Sequence, residues 1–280
     1  MSGRTNPAGP KPSLMWRYGE LQRRSRALRT PVVFGAELLR QRLETFDDKR
    51  RLAELRGANG TDWAFEVEEP LVTIRIATYN RGQLVADRAL ASAISQTYTN
   101  IEILVIGDHC DEATEKAVLS VDDPRIRFVN LAERGRYPTD PTLRWMVAGT
   151  TPMNAALAIA QGQWIAPCDD DDELTKDHVE VLLGAAQARR LEFVWSAARW
   201  EGRPGKWGLV GDGSFHQSSF THGSVIYASG LRFFRHNDSS WKLMQPADWD
   251  LWWRMHRAGV SMGFLDRATY VHYAEAQWRN

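Results

Sequence analysis

The sequence predicts an α/β fold in which helices cover both faces of a mostly parallel sheet. Two observations carry that expectation. Through the first half of the chain, short runs rich in β-branched residues alternate with stretches whose apolar residues recur at helical spacing. One of those runs, residues 164–174 (WIAPCDDDDEL), ends abruptly in four consecutive aspartates, and ligands bind at the carboxyl ends of strands in such sheets.

The elements follow in order. Residues 71–77 (LVTIRIA) form a first strand, 84–95 a helix, 101–106 (IEILVI) a second strand, 112–120 a short helix and 126–130 a third strand. Residues 131–151 are irregular and rich in Arg, Pro and Thr; a loop of that length inside a compact domain marks function or disorder. A helix at 152–160 ends at Gly162, and 164–167 is the fourth strand. Thr175 is placed to cap a helix over 176–188. A strand at 193–198, a Gly-, Ser- and Lys-rich stretch at 201–222, a strand at 224–227, a helix at 246–257 closed by Gly259, and a β-like segment at 268–273 complete a more mixed second half.

Ahead of this domain, assigned to 61–280, residues 1–13 read as a disordered tail of Pro, Gly and Ser. Residues 14–60 read as a helical extension and linker, with Leu21, Leu28, Leu38, Leu39, Leu43 and Leu52 among charged residues, a break at Pro31 and a turn at 57–60. Residues 1–57 hold 13 Lys/Arg against 6 Asp/Glu, although the whole chain balances at 35 of each. The balance argues against a nucleic-acid partner. The basic segment 14–57 has three docking partners open to it: the catalytic domain, a second protein chain (a homo-oligomer included), or an anionic membrane surface. No apolar run approaches the roughly 20 residues needed to span a bilayer, and the N-terminus lacks the apolar core of a signal peptide. The expected location is cytoplasmic, with peripheral membrane contact left open. Cys110 and Cys168 are expected to be free thiols.

Four carboxylates at one strand end repel one another unless positive charge sits among them. Hard divalent cations, Mn²⁺ or Mg²⁺, favour such oxygen ligands and bridge to substrate phosphates.

Four segments, in order, carry a resemblance: 72–81 (VTIRIATYNR), 92–112 (SAISQTYTNIEILVIGDHCDE), 154–174 (NAALAIAQGQWIAPCDDDDEL) and 247–259 (ADWDLWWRMHRAG). Together they resemble the family 2 glycosyltransferases of the GT-A fold, a Rossmann-like α/β architecture, from about residue 71 to about 273. The resemblance implies a nucleotide-binding half at about 71–174 and an acceptor-binding half at about 175–280. It implies an inverting, metal-dependent transfer from a nucleotide-diphospho-sugar, a UDP-sugar being favoured, to the hydroxyl of an unidentified acceptor.

The same resemblance assigns roles. Thr78, Tyr79, Asn80 and Arg81 would form the turn that holds the nucleobase, although Asn80 can also serve as a helix cap. Asp108 would accept a hydrogen bond from the base. Gly107 departs from the family's usual Asp at the preceding position. Asp169 and Asp171 match the Asp-x-Asp motif, Asp169 reaching the ribose or the ion's water shell and Asp171 ligating Mn²⁺ or Mg²⁺; strand alternation predicts that these two point one way and Asp170 the other. His272 matches a late metal-ligating histidine. Asp248 is the expected base, chosen over Asp250, which lies about 200° away around a helix. Trp249 or Trp241 would offer a stacking platform, with Trp252 and Trp253 in the core. Met153 stands where relatives carry an Arg that contacts the nucleotide, leaving Arg134, Arg136 or Arg144 as replacements. Two other functions stay open: a degenerate, glycosyltransferase-like binding module, and a sugar-phosphate nucleotidyltransferase, against which TYNRG lacks the expected Gly-rich phosphate loop.

Overall fold

The structure, a computed structural model, describes residues 31–60 and 62–274; the expected tail at 1–13 and residues 14–30 of the extension lie outside the described residues. The described strands are β1 Val72–Thr78, β2 Ile101–Gly107, β3 Ile126–Asn130, β4 Trp164–Asp169, β5 Glu173–Leu174, β6 Phe193–Arg203, β7 Lys206–Val210, β8 Val225–Ala228 and β9 Met262–His272. They form one sheet in the order β3-β2-β1-β4-β8-β6-β9-β5, with β7 paired to β6. Strands β1 to β4 pair in parallel. Beyond β4 the sheet is mixed: β8 runs antiparallel to β4 and β6, and β9 runs parallel to β6 but antiparallel to β5.

Alternation along the central strands builds two cores. Ile103 and Val105 face the cluster that holds Val85, Leu90, Val118 and Val179, while Leu104 and Ile106 face the one that holds Leu157, Leu251 and Trp252. Both faces are therefore covered. The described α-helices are α1 Pro31–Asn59; α2, built from Gly82–Val85, a π turn at Ala86–Leu90 and Ala91–Ile94; α3 Glu112–Leu119; α4 Pro141–Trp145; α5 Thr150–Ile159; α6 His178–Arg189; and α7 Ala247–Ala258. Gly162 is required by close approach, since a Cβ there would sit 2.5 Å from the Thr73 backbone nitrogen of β1.

Several expectations need correction. Strand β6 runs past 198 into a hairpin with β7, inside the Gly-, Ser- and Lys-rich stretch to which no element was assigned. Strand β7 is exposed at nearly every position, so it carries no alternating apolar signal. Strand β9 begins well before residue 268. Thr175 does not cap α6. Its backbone N–H bonds Thr269, its hydroxyl bonds Asp177, and Asp177 stands at the cap position. Cys168 lies within β4 rather than beyond it. Both cysteines are free, with burial raising each thiol, and β1 lies between the strands that carry them into place.

The described part of α1 starts at Pro31, and the expected break there falls at the edge of the described residues. Of the described leucines in this helix, Leu52 alone is in the buried stripe, which is otherwise polar. Glu37, Gln41, Thr45, Asp48 and Leu52 are buried, at spacings of three and four, while Leu39, Leu43 and Phe46 are exposed. A polar face docks because its partners on α7 are charged. Arg254 pairs with Asp48 at 3.2 Å and with Asp250 at 3.0 Å, and Gln41 reaches Asp250 at 3.5 Å. Removing one partner of a buried ion network typically costs about 3–5 kcal/mol. Arg254→Ala should therefore lower the urea midpoint strongly, since a domain's whole stability is only about 5–15 kcal/mol. A midpoint equal to that of the wild type would show that α1 is held by other contacts. No described helix is long and apolar enough to cross a membrane.

Candidate active site

The sheet brings the carboxyl ends of β1, β2 and β4 side by side, with Thr78 paired to Gly107 and Ala77 to Asp169. The expected nucleobase turn thus lies beside the aspartate run. Thr78 donates to Asp170 at 2.7 Å. Asn80 adopts a left-handed backbone (φ 50°) and accepts from the Asp111 N–H at 2.9 Å. It does not cap the following helix, where Arg81 is the cap residue. Such strain is tolerated where surrounding bonds over-determine it. The Tyr79 ring is covered by the Arg134 guanidinium, 3.6 Å from its centroid. Of the three arginines considered in the long loop, Arg134 is the one against this turn; Arg144 instead bonds Thr139.

Asp108 is buried, and both its oxygens are engaged by that loop. Oδ1 accepts from the Gly135 N–H at 2.8 Å and Oδ2 from the Tyr137 hydroxyl at 2.8 Å. Burial, together with Asp108, holds the Tyr137 phenol well above its ordinary value. The departure at Gly107 has a steric reason. A Cβ there would stand 2.6 Å from Asn130 Oδ1, and the Asn130 amide clasps both the N–H and the carbonyl of Cys110.

The aspartate run does not alternate as a strand would, because β4 ends at Asp169 and the chain turns. Asp170 and Asp171 share Arg81 Nη1, at 2.8 and 2.9 Å. Asp169 and Asp172 instead face the Tyr270 hydroxyl, at 3.5 and 2.9 Å. Asp172 also takes His272 Nδ1 at 2.7 Å and the Tyr273 N–H at 2.9 Å. Arg88, carried by the π turn of α2, donates to the Asp171 carbonyl at 2.7 Å and lies over the Tyr273 ring.

These contacts sort the charges. Burial works to raise Asp169, but the bonded His222, with His272 and Arg75 beyond, holds it down at about 2. Burial pushes Asp171 up to about 7, reinforced by Asp172 and Asp170 against Arg81. Burial also raises Asp170 and Asp172. His272 is lifted to about 9: burial opposes its charge, but Asp172 more than offsets it.

A hard divalent cation fits this donor set by its chemistry. Four carboxylates lie within one turn, and burial with the charges of Asp172 and Asp170 raises Asp171, a repulsion a cation would relieve. Among the described residues, no three ligand side chains already converge on one ion position. Arg81 stands between two of them.

Asp248 sits in the first turn of α7, where it accepts from the Trp249 N–H at 2.7 Å. Burial pushes its carboxyl up, against the pull of His222 and with Asp169 adding to it, so it shares the field of the aspartate run. Asp250 points the other way, into the network with Arg254 and α1. Beside Asp248, Trp249 packs on Phe215 at 5.3 Å and on Trp253 at 5.9 Å. Trp253 is half-buried within this stack, whereas Trp252 is core. Trp241 packs with Met146, Val147 and Met244.

Sequence reasoning missed Arg75, Arg88, Tyr137, His222 and Tyr270. Only Arg75 carried a local signal, a charge in the middle of an otherwise apolar strand.

The family described as Glycosyl transferase family 2 matches residues 73–138 and 150–237, more than half of the chain. The succinoglycan biosynthesis protein ExoO of Rhizobium meliloti (strain 1021) is 32% identical over 119 residues, 42% of this chain and 30% of that one. The Escherichia coli UDP-Glc:alpha-D-GlcNAc-diphosphoundecaprenol beta-1,3-glucosyltransferase WfgD is 26% identical over 129 residues, 46% of each chain. The chain thus spans less than half the length of these curated relatives. Staphylococcus aureus TarS 1–349, solved in complex with UDP-GlcNAc, superposes with a TM-score of 0.57 at 16% identity, covering 73% of this chain and 58% of that one. The likeness to TarS extends the GT-A fold over most of the chain, and the family match over more than half of it shows that the protein belongs to glycosyltransferase family 2.

Proposed function

We propose that the protein is a metal-dependent, inverting glycosyltransferase that moves a sugar from a nucleotide-diphospho-sugar, favouring a UDP-sugar, to an acceptor hydroxyl. The observation that carries this reading is the meeting of two carboxylate sets from distant parts of the chain. Asp169–172 end β4, Asp248 opens α7, and His222 influences both Asp169 and Asp248. The relatives agree with it: WfgD is named for UDP-Glc, and TarS was solved with UDP-GlcNAc and with UDP.

In this reading Tyr79 and Arg134 frame the base, while Asp171, Asp169 and His272 would hold Mn²⁺ or Mg²⁺. Such an ion, when bound, offsets the charge that develops on the leaving nucleoside diphosphate. Arg81 would exchange its carboxylate partners for donor phosphate as the ion enters. Asp248, raised by burial, takes the proton of the attacking hydroxyl, and an elevated carboxyl is the better base. Trp249 gives the acceptor sugar an apolar face.

One observation favours the second reading, a binding module without transfer: Arg81 already pairs with both Asp170 and Asp171, where a cation would otherwise sit. Thermal denaturation of the full chain separates the two. UDP with Mn²⁺ should raise the melting temperature, by about 2.7 kcal/mol of stabilisation at a hundred times Kd, and UDP with EDTA should not. Hydrolysis of a UDP-, GDP- and dTDP-sugar panel then distinguishes a transferase from a binder. If no nucleotide stabilises the chain, the donor reading fails.

A further inference from the structure

We propose that Arg75 and His222 form a buried hydrogen-bond relay that orients the Asp169 carboxylate, making His222 a positioning residue for donor binding. The proposal rests on the donor site described above and adds to it two side chains that no motif names.

A guanidinium in the interior is expensive to desolvate. Arg75, at the centre of β1, is 1% exposed. Its Nη2 lies 2.9 Å from His222 Nε2 and 3.4 Å from His236 Nε2, and the buried Tyr227 hydroxyl lies close to the same guanidinium. The direction of these bonds follows from the groups themselves. A guanidinium has N–H donors and no lone pair. Each imidazole nitrogen facing it must therefore offer a lone pair. For His222 this places the ring proton on Nδ1, which lies 2.6 Å from Asp169 Oδ1. The chain of donation runs Arg75 to His222 to Asp169, and it cannot run in reverse.

The relay is braced on both sides. Trp252, in the core, stacks on the His222 ring with planes 24° apart. His236 is pinned through its backbone, whose N–H and carbonyl both bond the Asn154 side chain at 2.9 Å. This gives Asn154 a structural role behind the relay. With Oδ1 fixed by His222, Asp169 keeps Oδ2 toward the site, where its nearest partner is the Tyr270 hydroxyl at 3.5 Å. Partners that orient a ligating or phosphate-facing carboxylate typically change affinity by about 10–100-fold when lost.

The test uses the geometry of two amides. The asparagine nitrogen falls where Nδ1 sits, so His222→Asn keeps the donor to Asp169. The glutamine end reaches the Nε2 position, so His222→Gln keeps the contact with Arg75 and loses Asp169. Calorimetric titration of UDP in Mn²⁺ should show affinity about 10–100-fold weaker for His222→Gln and within about threefold of wild type for His222→Asn. Melting temperatures taken alongside report folding separately. Wild-type affinity in His222→Gln, or an equal loss in both variants at unchanged melting temperature, overturns the relay. Imidazole ¹⁵N shifts of histidine-labelled wild-type protein read the relay with no ligand present. A protonated Nδ1 and bare Nε2 on His222, identified by its absence from His222→Asn, are expected, and the opposite pattern overturns the proposal. A wild-type chain with the expected tautomer that binds no UDP in Mn²⁺ would overturn the donor reading and the relay's role in binding, while leaving the hydrogen-bond direction standing.

Discussion

Asp248→Asn is expected to lower single-turnover transfer by about 10²–10⁴-fold, the usual contribution of a positioned acid or base. The substitution keeps the shape of the side chain and the oxygen that accepts from the Trp249 N–H. It removes only the capacity to take a proton. Donor affinity should change little, because the expected base and phosphate contacts come from β1, β4 and the 131–137 loop. Asp250→Asn should behave in the opposite way. Its carboxylate is fully buried against Arg254, so the loss of charge should appear in the melting temperature, with a cost of up to about 3–5 kcal/mol, and not in the rate of the folded fraction. Near wild-type transfer in Asp248→Asn would remove the base from that position and leave the α7 N-terminus with a capping role alone.

The contrast between these two aspartates marks how far the sequence could be read. Helical geometry separated their faces, but which face meets the site depends on what packs behind α7. That partner is α1, and its attachment was illegible because the face that docks is mostly polar. Leu39 and Leu43 are exposed, and the contact uses Asp48 and Gln41 against Arg254 and Asp250. Charge complementarity across two helices leaves no periodic apolar mark. Strands β1 to β4 were legible for the reverse reason. Parallel strands covered on both faces read as continuous apolar runs, and their ends are marked by turn residues and by the aspartates themselves. The site divides along the same line. Asp169, Asp171 and Asp248 stand in ordered local motifs. His222 joins them through a contact with Arg75, 147 residues away, from a Gly-, Ser- and Lys-rich stretch that carried no motif.

Asp171→Asn should reduce metal-dependent turnover by about 10³-fold or more, in the range seen when a preorganised charge partner is removed from a transition state. The loss should be confined to the metal-bound enzyme. In EDTA, UDP affinity should match the wild type, because the expected base-binding residues are untouched. Stability should move in the other direction. Burial and the carboxylates of Asp172 and Asp170 push Asp171 up to about 7, so without a cation this side chain is held at a cost that Arg81 only partly offsets. Asparagine removes the like-charge repulsion and can still accept from Arg81. The EDTA-treated variant should therefore melt at or above the wild-type temperature, while Mn²⁺ with UDP should raise the wild type far more than the variant. Full activity of the wild type in EDTA, or of the variant in Mn²⁺, would rule out the metal role. A variant that melts well below the wild type in EDTA would instead assign Asp171 to holding Arg81 in place, and the four aspartates to structure.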